Sequence, residues 1–225
     1  MLFLVIIRHG YVLHGIYVGH IPLHIFMISM RSLQFELEES RWKFIEFFKS
    51  MKSASEDEKS ITRFLALSKT HFDIVKKVQK ADRIFRLFTL VMIGVWMPTT
   101  IFTPVALVQV WSAKWSTQMA FLIYDVTRSI FHFYGLCIMP AQVHTMCQKT
   151  TILLNNEVCQ RVENLNQPQS ITPLIKTFAE SVANTDSGIT VGGMILIRKS
   201  MVLTCLSLVV PYVILFLQLK LKVLE

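Results

Sequence analysis

The chain has 225 residues, of which 52% are hydrophobic and 17% charged, with a mean hydropathy of +0.48 and a formal net charge of +8. Soluble domains carry about a quarter charged residues, so this composition argues against an ordinary soluble domain and for a chain whose apolar residues meet lipid. The positive balance does not point to nucleic acid, because the basic residues alternate with Glu36, Glu38, Glu39, Glu46, Glu56, Asp57, Glu58, Asp73 and Asp82; a nucleic-acid arm concentrates one sign of charge.

A helix that crosses a bilayer needs about 20 mostly apolar residues. Residues 10–30 form the first such block, set apart from the short apolar run 1–7 by Arg8 and His9. It reads as a span rather than a cleaved signal peptide, since neither a basic leader nor a small-residue cleavage site accompanies it. His20 and His24 stand one turn apart in this block, with His14, Tyr11 and Tyr17 before them. No third ligand follows at metal-binding spacing, so weakly polar packing between helices is the expected role.

Residues 31–86 hold a dense set of basic side chains, among them Arg31, Lys49, Lys76, Lys80, Arg83 and Arg86. Lys and Arg favour the cytoplasmic side of short loops, which assigns this region to the cytoplasm. Within it, Phe64, Leu67, His71, Ile74, Val78 and Ile84 recur near helical spacing, predicting an amphipathic helix over 61–86 that runs straight into the next span. The stretch 53–60, SASEDEKS, is the expected break before it.

Residues 87–110 are the longest uncharged apolar run and form the second expected span, with Pro98 and Pro104 as expected kinks. A loop holding only Lys114 leads to the third span, 119–143. Here Asp125, Arg128 and His132 fall on one helical face, where Asp and Arg can pair. A lone charge in hydrocarbon costs a few kcal/mol, so this face should turn toward protein or water; the wall of a ligand pocket and a structural ion pair are both open readings.

Residues 145–199 return to basic character with Lys149, Arg161, Lys176, Arg198 and Lys199. Amphipathic helices are expected over 147–164 and 170–185, separated by NLNQPQ at 164–169, with Ser170 or Thr172 as N-cap and Pro173 in the first turn. Cys147 and Cys159 fall in this cytoplasmic region and Cys137 and Cys205 in spans, so neither disulfides nor a cysteine metal site is expected. Residues 200–219 are the fourth span, with Pro211 inside it.

The charge alternation gives an even number of crossings with both termini outside the cytoplasm. The fold class is therefore all-α: a polytopic membrane helical bundle of about four transmembrane spans with amphipathic cytoplasmic helices, divided at 1–30, 31–86, 87–144, 145–199 and 200–225. No catalytic signature is present: the sequence has no G-x-S-x-G, H-E-x-x-H, Walker-type loop or GxGxxG, and the Gly192-Gly193 pair lacks phosphate-loop spacing. Asp125 is the single acidic residue of the expected spans. No enzyme activity and no cofactor are expected.

The run 190–219 (TVGGMILIRKSMVLTCLSLVVPYVILFLQL) resembles the signature region of invertebrate gustatory receptors, those of insects and nematodes. In that family a short helix carrying a Gly leads into a last span that ends in Thr-Tyr, several apolar residues, then Gln-Phe. Tyr212 and Gln218 match, separated by residues 213–217, whereas Pro211 stands where Thr is usual and Leu219 where Phe is usual. The whole chain follows the order of the family's last four of seven spans, which implies a start just before the fourth span and an external beginning. The resemblance implies a chemosensory receptor in the plasma membrane, a homo- or hetero-tetramer acting as a ligand-gated cation channel for a small-molecule tastant, with the last span lining the pore and the cytoplasmic helices anchoring the subunits. It makes Gln218 and Leu219 gate residues with Tyr212 deeper, and Trp96, Tyr124, Asp125, Arg128 and His132 contributors to a ligand pocket. A hydrophobic constriction beside a polar ring can gate by dewetting. A G-protein-coupled chemoreceptor and a non-signalling four-span protein are the alternatives; the first is disfavoured by the reversed orientation.

Overall fold

The computed structural model describes residues 20–51, 58–110, 117–163, 171–185 and 187–224. They are almost entirely helical, and the chain is all-α apart from one small hairpin. Helix α1 covers Ile21–Met51, α2 Glu58–Val110 and α3 Thr117–Phe133. A π-helical turn, Tyr134–Ile138, joins α3 to α4, Met139–Glu163, so residues 117–163 run as one rod with a single widened turn. Helix α5 covers Thr172–Asn184, strands β1 (Thr190–Val191) and β2 (Ile195–Leu196) form the hairpin, and α6 covers Lys199–Leu224.

Helix α2 is 53 residues long, about 80 Å at 1.5 Å per residue. It has no break between its amphipathic first part and its apolar second part, so the expected entry of 61–86 into 87–110 is a continuous helix. Other boundaries differ. Glu58, Lys59 and Ser60 of the SASEDEKS break already belong to α2, while 52–57 lie outside the described residues, as do 164–169 and Ser170. Residues 147–163 do not start a new helix but continue the rod from α3. Thr172 is the first residue of α5 rather than its cap: Ile171 holds the cap position with no side-chain hydrogen bond, and its side chain is fully buried. Burying an isoleucine is worth about 2 kcal/mol, more than the roughly 1 kcal/mol of a hydroxyl cap, so packing decides the boundary. The short Gly-bearing helix that the resemblance implies ahead of the last span is the β1–β2 hairpin instead.

Two buried clusters hold the bundle. One lies where α1, α2, the π turn and α4 meet, around Leu23, Phe26, Met30, Val78, Leu136 and Val143. Gly135 lets α1 approach the π turn closely: a Cβ there would stand 2.9 Å from Met27 Sδ. Gln34 of α1, buried, donates its amide N–H to the carbonyl of Met139 at 2.8 Å, which satisfies a polar side chain that burial would otherwise penalise. The second cluster is aromatic, built on Phe44, Phe47, Phe64, Leu154, Ile175 and Phe178 from α1, α2, α4 and α5. Phe44 and Phe178 stack at 5.7 Å between centroids, and Phe64 meets Phe178 edge-to-face at 5.7 Å.

The aromatic cluster belongs to the part of the molecule rich in charge, and the first cluster lies where that part meets the apolar one. The apolar ends of α2, α3 and α6 are packed far more openly: Leu87, Val95, Phe102, Ile130 and Leu203 are each more than half exposed. Helix α2 is the one described helix long and apolar enough to cross a membrane by length and composition; its most apolar 18-residue window has a mean hydropathy of 1.6 and only 11% of it is buried. A core helix of a soluble protein would hide such a window. The Lys199–Tyr212 part of α6 is a shorter apolar helix of the same kind.

Candidate functional site

In the open apolar part, polar side chains are satisfied within their own helices. Thr99, Thr100 and Thr103 donate hydroxyl protons to the carbonyls four residues back at 2.8, 2.9 and 2.8 Å, and Thr127 and Thr204 do the same at 2.9 and 3.0 Å. Such back-bonding removes the need for an outside partner. The three threonines of α2 follow Pro98, whose ring deprives the helix of one backbone donor.

Trp96 is the anchor between α2 and α3. Its indole N–H donates to the carbonyl of Ser129 at 2.9 Å, and its ring stacks on Phe133 at 5.4 Å. Beside it lies an apolar crevice of about 200 Å³, closed on its third side by Cys205, Leu206 and Val209 of α6. The crevice opens one turn before the π segment, where the hydrogen-bond ladder of the rod loosens.

Asp125, Arg128 and His132 do share a face of α3, but it is not the face that meets Trp96. The carboxylate of Asp125 and the guanidinium of Arg128 stand 3.3 Å apart, both about a third exposed. The Nδ1–H of His132 donates to the carbonyl of Arg128 at 2.8 Å. His132 then meets His20, the residue before α1, edge-to-face at 5.2 Å, and His24 of α1 lies 5.4 Å from Phe131. Tyr124 is half exposed on a third face. The five residues linked by resemblance therefore divide into Trp96 at the crevice, the Asp125–Arg128–His132 seam against α1, and Tyr124 at the surface. Among the described residues no three His, Cys, Asp or Glu side chains converge on a point where a metal could bind.

On α6, Tyr212 is half exposed and Gln218 is exposed; the side chain of Leu219 lies outside what is described. Leu203, Leu206, Leu208, Val210, Ile214 and Leu215 are exposed too. At 100° per residue these positions reach around most of the helix, so α6 is covered on little more than the side that meets α2.

Two features have no plain signal in the sequence. The thiols of Cys137 in the π turn and Cys205 in α6 are buried neighbours, free rather than bridged. The second is a clamp. The Asp82 carboxylate accepts the backbone N–H of Thr190 at 2.6 Å and its hydroxyl at 2.7 Å, while Thr89 donates to the Thr190 carbonyl at 2.8 Å. The Gly192 N–H donates to the Arg86 carbonyl at 2.9 Å. Together these fasten the hairpin to α2 just before α2 becomes apolar. Gly192 and Gly193 turn the hairpin with φ of 64° and 77°, a region that favours glycine.

In the charged part, His71 is fully buried. Its Nδ1 lies 3.3 Å from the Ser40 hydroxyl, its ring sits between Phe44 and Phe178, and burial pushes its pKa down to about 4. Burial likewise pushes the Cys147 thiol up to about 12, which makes it inert. Neither the models of known protein families nor the curated proteins give a match to this chain.

Proposed function

We propose that the chain is a multi-pass protein of the plasma membrane and a subunit of a gustatory-type, ligand-gated cation channel. The observation that carries this reading is the bare surface of α6, which presents Tyr212 and Gln218 of the sequence signature on an apolar helix with little protein around it. A helix exposed on most of its circumference needs lipid on one side and neighbouring copies on the other. A central pore lined by α6 in a tetramer supplies both, and the crevice beside Trp96, between α2, α3 and α6, is placed for a small ligand to shift α6. The expected four spans are residues 10–30, 87–110, 119–143 and 200–219, with the aromatic cluster of 31–86 and 145–199 in the cytoplasmic anchor.

The test is current in a heterologous cell with surface-expressed chain and a tastant panel. Agonist-evoked cation current whose permeability ratio changes in Gln218→Ala supports the reading. Surface protein that never conducts, or current indifferent to Gln218→Ala, removes the pore role of α6.

A further inference from the structure

We propose that the groove between α2 and the β1–β2 hairpin is a headgroup site for an anionic phospholipid of the cytoplasmic leaflet. The inference rests on the multi-pass reading above and adds a ligand to a surface that the channel reading does not use.

The groove has a volume of about 430 Å³ and is walled by Arg83 and Arg86 of α2 and by Gly193 and Met194 of the hairpin. Both arginines are exposed, and among the described residues neither guanidinium has a carboxylate partner. The Arg86 side chain lies along the turn, with its Nη1 3.9 Å from where a Cβ on Gly193 would stand. Asp82 also lines the groove. Its Oδ1 accepts two hydrogen bonds from Thr190, and two guanidinium charges against one carboxylate leave the groove net positive.

Position selects lipid over a soluble anion. Arg86 is followed directly by Leu87, which is 67% exposed, and by the apolar part of α2. Met194 and Ile195 at the hairpin tip are 74% and 58% exposed, although nothing in a two-residue strand pair requires apolar tips. A polar cleft lined by two arginines, with bare apolar side chains beside it at the foot of a membrane-length helix, matches a molecule with an anionic head and an acyl tail. Arginine forks bind phosphate oxygens bidentately, and basic juxtamembrane pockets draw anionic headgroups. Met194 and Ile195 would sit among the first acyl carbons while the phosphate meets Arg83 and Arg86.

The experiment titrates the full chain, purified in a neutral detergent, with dioleoyl phosphatidylglycerol and with dioleoyl phosphatidylcholine, and counts bound lipids by native mass spectrometry. One phosphatidylglycerol should bind in preference to phosphatidylcholine. Arg83→Gln/Arg86→Gln should weaken that binding on the order of 30-fold, while Arg63→Gln, on an exposed part of the same helix, leaves it unchanged. Unaltered preference in the double variant overturns the site. Full displacement of the lipid by glycerol 3-phosphate also overturns it, by reassigning the groove to a soluble phosphate compound. Extraction of the wild-type chain from membranes with alkaline carbonate tests by itself whether the chain is membrane-inserted, and a chain that resists extraction yet shows no lipid preference fails only here.

Discussion

His71 illustrates how burial sets chemistry at one residue. Among the described residues its Nδ1 has the Ser40 hydroxyl as partner, its Nε2 has none, and the rings of Phe44 and Phe178 lie against it. With a folded-state pKa of about 4 against an ordinary 6.5, the neutral ring is favoured in the fold, so its contribution to stability is complete above pH 6.5 and fades as pH falls toward 4. The shift corresponds to roughly 3 kcal/mol at most. Thermal unfolding followed between pH 7 and 4 should show a fall in Tm that His71→Leu flattens; an equally steep fall in the variant would place the acid-labile group elsewhere. Trp96 is the counterpart in the apolar half. Trp96→Phe keeps the stack on Phe133 and loses the indole donor, a change of about 1 kcal/mol. Trp96→Ala empties the site and should cost about 3–5 kcal/mol. Detergent-solubilised chains melted side by side measure the difference, and equal effects would mean that the hydrogen bond, not the ring, holds α2 to α3. At this scale the sequence was least legible. It grouped Asp125, Arg128 and His132 correctly by helical spacing, yet the meeting of His132 with His20 depends on α1 crossing the rod, and spacing within one helix says nothing of that.

Among the elements, long apolar runs were read most easily, because residues 87–110 contain no charge at all and no alternative structure hides so many side chains. The amphipathic period of 61–86 was equally plain, and its fusion with 87–110 follows from the absence of any glycine or proline at the join. The hairpin at 190–196 left no comparable trace: two-residue strands have too few side chains to show alternation, and this pair is held by a carboxylate 108 positions away. The π turn is silent for a similar reason, since one widened turn changes the period by less than a residue. The hairpin's dependence on Asp82 gives a prediction at this level. Asp82→Ala removes two hydrogen bonds to a charged acceptor, worth about 1.5–3 kcal/mol each at most, and should speed amide exchange at Thr190, Gly192 and Ile197 at least tenfold while the middle of α1 stays protected. Exchange that rises uniformly would indicate a loosened bundle rather than a released hairpin.

For the molecule as a whole, the division is between a part that buries its aromatic and aliphatic side chains well and a part that leaves them bare. Large exposed apolar surfaces mark interaction or membrane sites, and most of the bare residues lie on α2, α3, α6 and the first turns of α1, with others such as Phe35, Trp42 and Ile152 elsewhere. Transfer of the purified chain from detergent to plain buffer should cause aggregation, whereas exchange into lipid nanodiscs should keep it dispersed; light scattering separates the two. A chain that stays monodisperse without detergent would mean that its apolar surface closes on itself, against the packing described. The overall composition made this division legible, while the number of crossings was not, since among the described residues only α2 reaches membrane length by its own apolar content.

The clamp between Asp82 and Thr190 links more than two residues. It sits at the point where the charged and apolar parts of α2 join, and its other half lies nine residues before α6 begins. The chain that enters α6 is thus held to α2 at Thr190, on the same 53-residue helix whose apolar half packs against α6. Because that helix also carries Phe64, one continuous element bears both the clamp and the Phe64–Phe178 contact, so the hairpin and the aromatic cluster share a single frame.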